Sequence, residues 1–180
     1  QDLAAATLER VPFMRELNQE ILRIYDLEPG SYDLRIDGML AGTYSAGDLI
    51  AGVNLAAANT PQNKQASQIA VLNAKRHRIT GELLRCISMM EHGQLKHNFP
   101  PDQMGEPRKA VEAKVAKAGN AAEAQRVRKS FDAYLEYKAN QSQLTREGEK
   151  LTEQIFIQNK PVWHQYCLER TTAAAAQPRK

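Results

Sequence analysis

The chain has 180 residues, 42% hydrophobic and 25% charged, with 24 basic and 21 acidic side chains for a net charge of +3. That composition is of the ordinary globular kind and excludes a disordered chain, and no apolar run approaches the ~20 residues of a membrane helix. Aromatic residues make up only 6%, with a single Trp, so the core has to be built from Leu, Ile, Val, Ala and Met.

Residues 1–18 form a lead-in, an Ala-rich stretch followed by Val11-Pro12, where a helix would be interrupted. Three strand candidates follow in 19–62. They are 20–25 (Glu-Ile-Leu-Arg-Ile-Tyr), 31–36 (Ser-Tyr-Asp-Leu-Arg-Ile), which alternates polar and apolar, and 39–44. Pro29-Gly30 suits a type II turn. Asp37-Gly38 suits a two-residue type I′ hairpin, whose central positions both need φ > 0. Together these predict a three-stranded antiparallel meander.

Ser45-Ala46-Gly47-Asp48 has the spacing of a capping box, which predicts a short helix to about Ala51. Thr60-Pro61 places a proline at a helix start. Ile69, Leu72, Ile79, Leu83, Ile87 and Met90 then recur at helical spacing, with Gly81 a weak point. A loop over 92–107 contains Phe99-Pro100-Pro101. A second helix, weakened near Gly119-Asn120, runs to about Gln158 with Val127, Phe131, Tyr134, Leu135, Leu151 and Ile155 on its buried face, and Asn159-Lys160-Pro161 ends it. The tail over 171–180 should fray. The expected fold is α+β, mainly α: the meander followed by two long amphipathic helices, the helical region occupying 63–170. Two helices can cover one face of such a sheet; the other face would need a partner surface.

Several groups invite a chemical reading. Thr43-Tyr44-Ser45-Ala46-Gly47 has the outline of a nucleophile elbow, but Thr43 stands where the first glycine should be, and capping accounts for Ser45 without chemistry. Gly52-Val53-Asn54-Leu55 has the outline of an oxyanion block without its Asp, or of a turn glycine followed by a hydrogen-bonding Asn. The histidines are His77, His92, His97 and His164, and none makes an HxxxH pair. His164 has Pro161 where a D-x-x-H dyad would carry its Asp, so a packed or hydrogen-bonded ring beside Trp163 is expected. Cys86 and Cys167 suit either two buried thiols or one disulfide. The basic run Lys75-Arg76-His77-Arg78 lacks aromatic neighbours, so no nucleic-acid partner is assigned. No catalytic residue, cofactor or metal ligand is assigned either.

The order of several short motifs carries a resemblance. Leu17-Asn18-Gln19-Glu20-Ile21-Leu22, Leu27 to Leu34, Ile36-Asp37-Gly38, Gly42 to Ala46, Gly52-Val53-Asn54-Leu55-Ala56 and Thr60-Pro61 resemble the region that follows the catalytic domain in bacterial SGNH/GDSL-like hydrolases. Asn159-Lys160-Pro161-Val162-Trp163-His164 is similar to an N-x-P-x-x-H ending of their helical tail. The resemblance implies ester hydrolysis as the parent chemistry, a periplasmic or secreted location, and an SGNH-type catalytic domain as partner. The family's G-D-S, Gly, Asn and Asp-x-x-His blocks have no counterpart here, so this portion would be silent alone. The competing readings are a self-contained binding or assembly module, and a complete small hydrolase using Ser45, Asn54 and His164.

Overall fold

The computed structural model describes residues 13–171. The expected break at Val11-Pro12 and, but for Thr171, the fraying tail lie outside the described residues. The fold is α+β and mainly α, with one three-stranded antiparallel sheet. It divides into a sheet unit within Gln1–Gln68 and Pro161–Lys180, and a helical unit, Ile69–Lys160.

In the sheet unit, helix α1 (Phe13–Glu16) precedes a two-residue strand β1 (Ile21–Leu22). Strands β2 (Ser31–Ile36) and β3 (Met39–Ser45) form the expected hairpin, paired from Ser31↔Ser45 to Ile36↔Met39. Asp37 and Gly38 have φ of 51° and 79°, as a type I′ turn requires. Ala41 is the extra residue of a bulge, since Leu34 faces Gly42 and Arg35 faces Leu40. Helix α2 (Ala46–Ala51) follows directly, then β4 (Val53–Asn54), which pairs with β1.

Two strand-level expectations change. Residues 20–25 do not join the hairpin. Only Ile21 and Leu22 pair, with Asn54 and Val53, and Ile24 N donates to Leu49 O at 3.0 Å. Gly30, at φ 159°, is far from the ~80° of a type II turn. The third strand of the sheet is instead β5 (Tyr166–Arg170), so the order is β3-β2-β5 rather than a meander. β2 is therefore central, and its alternation is clean: Tyr32, Leu34 and Ile36 point into a core with Ala46, Leu49, Val53 and Leu55. On the outer face Asp33 accepts from Thr43 Oγ1 at 2.6 Å, and Arg35 pairs with Glu169 at 3.4 Å.

Helix α3 (Pro61–His77) starts at the expected Thr60-Pro61. The chain keeps right-handed helical dihedrals at His77, Leu84, Arg85, Met89 and Met90, through a π-helical stretch Arg78–Leu84, helix α4 (Arg85–Met89) and a second π-helical stretch Met90–Leu95. Lys96, at φ 56°, stops it. The second long helix is in fact three: α5 (Gly105–Ala116), α6 (Ala121–Ala139) and α7 (Gln141–Gln158). The break at Gly119-Asn120 is complete because Asn120 caps α6, its Oδ1 accepting from Glu123 N at 2.9 Å. The helical span expected over 63–170 thus ends at Gln158. Ile87, Val111, Phe131 and Tyr134 form the core of this unit, with the Phe131 and Tyr134 rings edge-on at 6.1 Å. Among the described residues no helix is long and apolar enough to cross a membrane.

Candidate functional site

Among the described residues of the sheet unit, the turn between β2 and β3 carries the arrangement that most resembles chemistry. Asp37 Oδ2 lies 2.6 Å from His164 Nδ1, and Asp37 Oδ1 accepts from Gln165 N at 2.8 Å. Asp37 N returns a bond to Gln165 O at 2.9 Å. The His164 hydrogen bond, and then the Gln165 amide, hold the Asp37 carboxyl below its ordinary 3.8. An ionised carboxylate only accepts, so His164 Nδ1 carries the proton of this bond. An Asp-oriented histidine is one of the parts a nucleophile–base pair would need, and it equally serves as a lock between the turn and the entry to the following strand.

The nucleophile half is elsewhere. Ser45 pairs with Ser31 at the far end of the hairpin, five residues from the Ile36↔Met39 end. At ~3.3 Å per residue that is roughly 17 Å along the strand, far outside hydrogen-bond reach of the turn. Ser45 is also engaged. Its Oγ accepts from Asp48 N at 3.1 Å and lies 2.6 Å from Asp48 Oδ2, which in turn accepts from Ser45 N at 3.1 Å. These bonds from Ser45 lower the Asp48 pKa. Ser45 and His164 are therefore not brought together, and the complete-hydrolase reading has no assembled site among the described residues.

The oxyanion-like block serves the fold. Asn54 Oδ1 accepts from Glu20 N at 3.0 Å and Ala56 N at 3.1 Å, while its Nδ2 donates to Asn18 O at 3.0 Å. Gly52 has φ 107°, and a Cβ there would sit 2.9 Å from Ile21 Cγ2. The next motif works the same way. Thr60 Oγ1 accepts from Asn63 N at 3.1 Å, and Asn63 Nδ2 reaches back to Ala56 O and Ala58 O, both at 2.9 Å.

The other candidates stay apart. His77 and His92 are exposed, and His97 lies 4.5 Å from the Phe99 ring. Among the described residues no group of three or more His, Cys, Asp or Glu is placed to hold a metal. Cys86 and Cys167 are both free thiols, and burial pushes the Cys86 thiol up, away from the reactive thiolate. The Lys75-Arg76-His77-Arg78 run spans the junction between α3 and the first π-helical stretch, with Arg76 Nη2 bound to Asn73 Oδ1 at 2.9 Å.

Sequence reading missed a buried ionic cluster in the helical unit. Lys138 is fully buried, and its Nζ meets Glu91 Oε1 at 2.8 Å, Phe99 O at 2.7 Å and Gln141 Oε1 at 2.7 Å. Glu91 also accepts from Tyr134 Oη at 3.1 Å and from Phe99 N at 3.3 Å. Burial, then the Glu91 charge and hydrogen bond, push the Tyr134 hydroxyl well up from its usual value. All three ammonium protons have acceptors, and both carboxylate oxygens are used. The cluster ties the 96–104 loop to α6; it has no open coordination for a substrate. A signal existed in the sequence, since Lys138 falls at i+4 from Tyr134 on the apolar stripe of α6. An open groove of about 640 Å³ in the same unit is lined by Leu84, Thr152, Phe156 and Ile157 together with Glu149 and Glu153.

No family profile matches the chain, and no curated protein matches it. A solved structure described as a gut microbial diltiazem-metabolizing enzyme is similar, with TM-score 0.70 and 29% identity over 93% of this chain and 37% of that one. The chain therefore spans little more than a third of the length of the enzyme it matches.

Proposed function

We propose that this chain is the non-catalytic C-terminal portion of an SGNH/GDSL-like hydrolase, bracing or bordering a catalytic portion that supplies the ester-cleaving groups. The observation that carries the reading is the lopsided match: nearly all of this chain, but 37% of the similar enzyme. The motif residues support it by what they do. Gly52, Asn54, Thr60 and Asn63 hold loops, Ser45 caps a helix, and Asp37 with His164 locks a turn to a strand entry. A diltiazem-metabolizing activity, as named for the similar enzyme, would belong to the whole protein, and the SGNH resemblance is the support for a periplasmic or secreted location.

Each unit has a core of its own, which favours a second reading, a self-contained binding or assembly module. The deciding experiment is intact mass and N-terminal sequencing of the protein from its native source, with hydrolysis of 4-nitrophenyl acetate measured on that product and on the 180-residue chain. A longer, active product beside an inactive 180-residue chain supports the proposal. Enzyme-like turnover by the 180-residue chain, with a covalent adduct on one of its serines, refutes it.

A further inference from the structure

Trp163 is the chain's single tryptophan, and it is 100% exposed, with Val162 beside it at 62% and Tyr166 at 45%. Tryptophan is on average a highly buried side chain, and a fully solvated one wastes the largest apolar surface available to a protein. The segment that presents it is not loose. His164 and Gln165 are both bonded to Asp37, Asp37 N is bonded to Gln165 O, and Tyr166 Oη accepts from Gln62 Nε2 at 2.7 Å. A rigid backbone that displays an unpartnered aromatic has already met the ordering cost of binding, and such aromatics are where binding energy concentrates.

The size of the patch selects its occupant. A Trp buries about 150–250 Å² when covered, so with Val162 and half of Tyr166 the patch offers roughly 300–400 Å². A free partner or a second copy needs about 800 Å² per side for a stable complex. A covalently linked portion needs far less, because the tether itself raises the local concentration to the millimolar range. The similar enzyme has such a portion, since the match covers only 37% of its chain. We propose that Trp163, with Val162 and Tyr166, is the anchor on which the catalytic portion of the longer hydrolase docks against the sheet unit, and that the Asp37–His164 bond holds the anchor in position. This rests on the function proposed above and names the contact through which the bracing acts.

The test is hydroxyl-radical footprinting read by mass spectrometry, run on the 180-residue chain and on the native-source protein at its natural length. Trp163 is expected to oxidise freely in the first and severalfold more slowly in the second. Trp163→Ala in the longer protein should weaken the docking roughly thirty-fold, the scale of a tryptophan hot spot, read as a lower unfolding temperature of the catalytic portion. The same substitution should leave the circular dichroism of the 180-residue chain unchanged, because the side chain is fully exposed among the described residues. If the native protein is longer and cleaves esters while Trp163 oxidises equally in both, the docking assignment is overturned and the proposed function stands. Protection that grows with concentration in the 180-residue chain alone would give the patch to a second copy and also overturn it. A native protein of only 180 residues without esterase activity sinks both.

Discussion

Replacing Lys138 with methionine keeps most of the volume of the side chain and removes its charge. Three short bonds vanish together, to Glu91 Oε1, Phe99 O and Gln141 Oε1. Glu91 keeps Tyr134 Oη and Phe99 N but is left as a charge in a site where it is 1% exposed. Removing one partner of a buried pair costs about 3–5 kcal/mol, mostly the burden of the charge left behind. With a urea slope of about 2 kcal/mol/M, the helical unit should lose roughly 1.5–2.5 M in its unfolding midpoint, followed by far-ultraviolet circular dichroism. The exposed Arg35–Glu169 pair, at 3.4 Å, is the control: Glu169→Gln should cost no more than about 1 kcal/mol. Adding Glu91→Leu to Lys138→Met should recover much of the loss, since a buried pair replaced whole by apolar groups is often close to neutral. A midpoint shift below about 0.5 M for Lys138→Met would refute the claim that this pair is locked and desolvated.

Two further outcomes follow from the sheet unit. Ser45→Ala should cost about 1 kcal/mol through loss of the α2 cap, and leave ester hydrolysis by the native-length protein unchanged; a collapse of turnover would return Ser45 to the chemistry. The Asp37 carboxyl is held below 3.8, so its contribution to stability is fully present above that value and is lost as pH falls through the lower folded value. The Gln165 amide proton, bonded to Asp37 Oδ1, should report this in an NMR titration with a midpoint under 3.8, and a midpoint at or above it would break the argument.

What was legible in the sequence lies within a few residues of itself. The Asp37-Gly38 turn, the Ser45–Asp48 box, the Thr60-Pro61 start and the weak point at Gly119-Asn120 are each decided by local dihedral preference or by a side chain reaching a backbone group three residues away. The alternation in 31–36 likewise marks Tyr32, Leu34 and Ile36 as core. Residues 20–25 show the limit of that reasoning. They read as a strand, yet only Ile21 and Leu22 form one, paired with β4, while Ile24 N bonds to Leu49 O of α2.

Sequence by itself determined the class of the fold, its hairpin and its caps, because those depend on interactions closed over short stretches of chain. Tertiary structure alone decided that 166–170 completes the sheet, that Asp37 finds His164 across 127 residues, and that Lys138 is buried on Glu91. A strand edge accepts any extended segment that can also bury its apolar side, here Leu168 against the β2 core, and a charge can be buried wherever packing happens to supply its partner. Neither choice is written in the residues nearby.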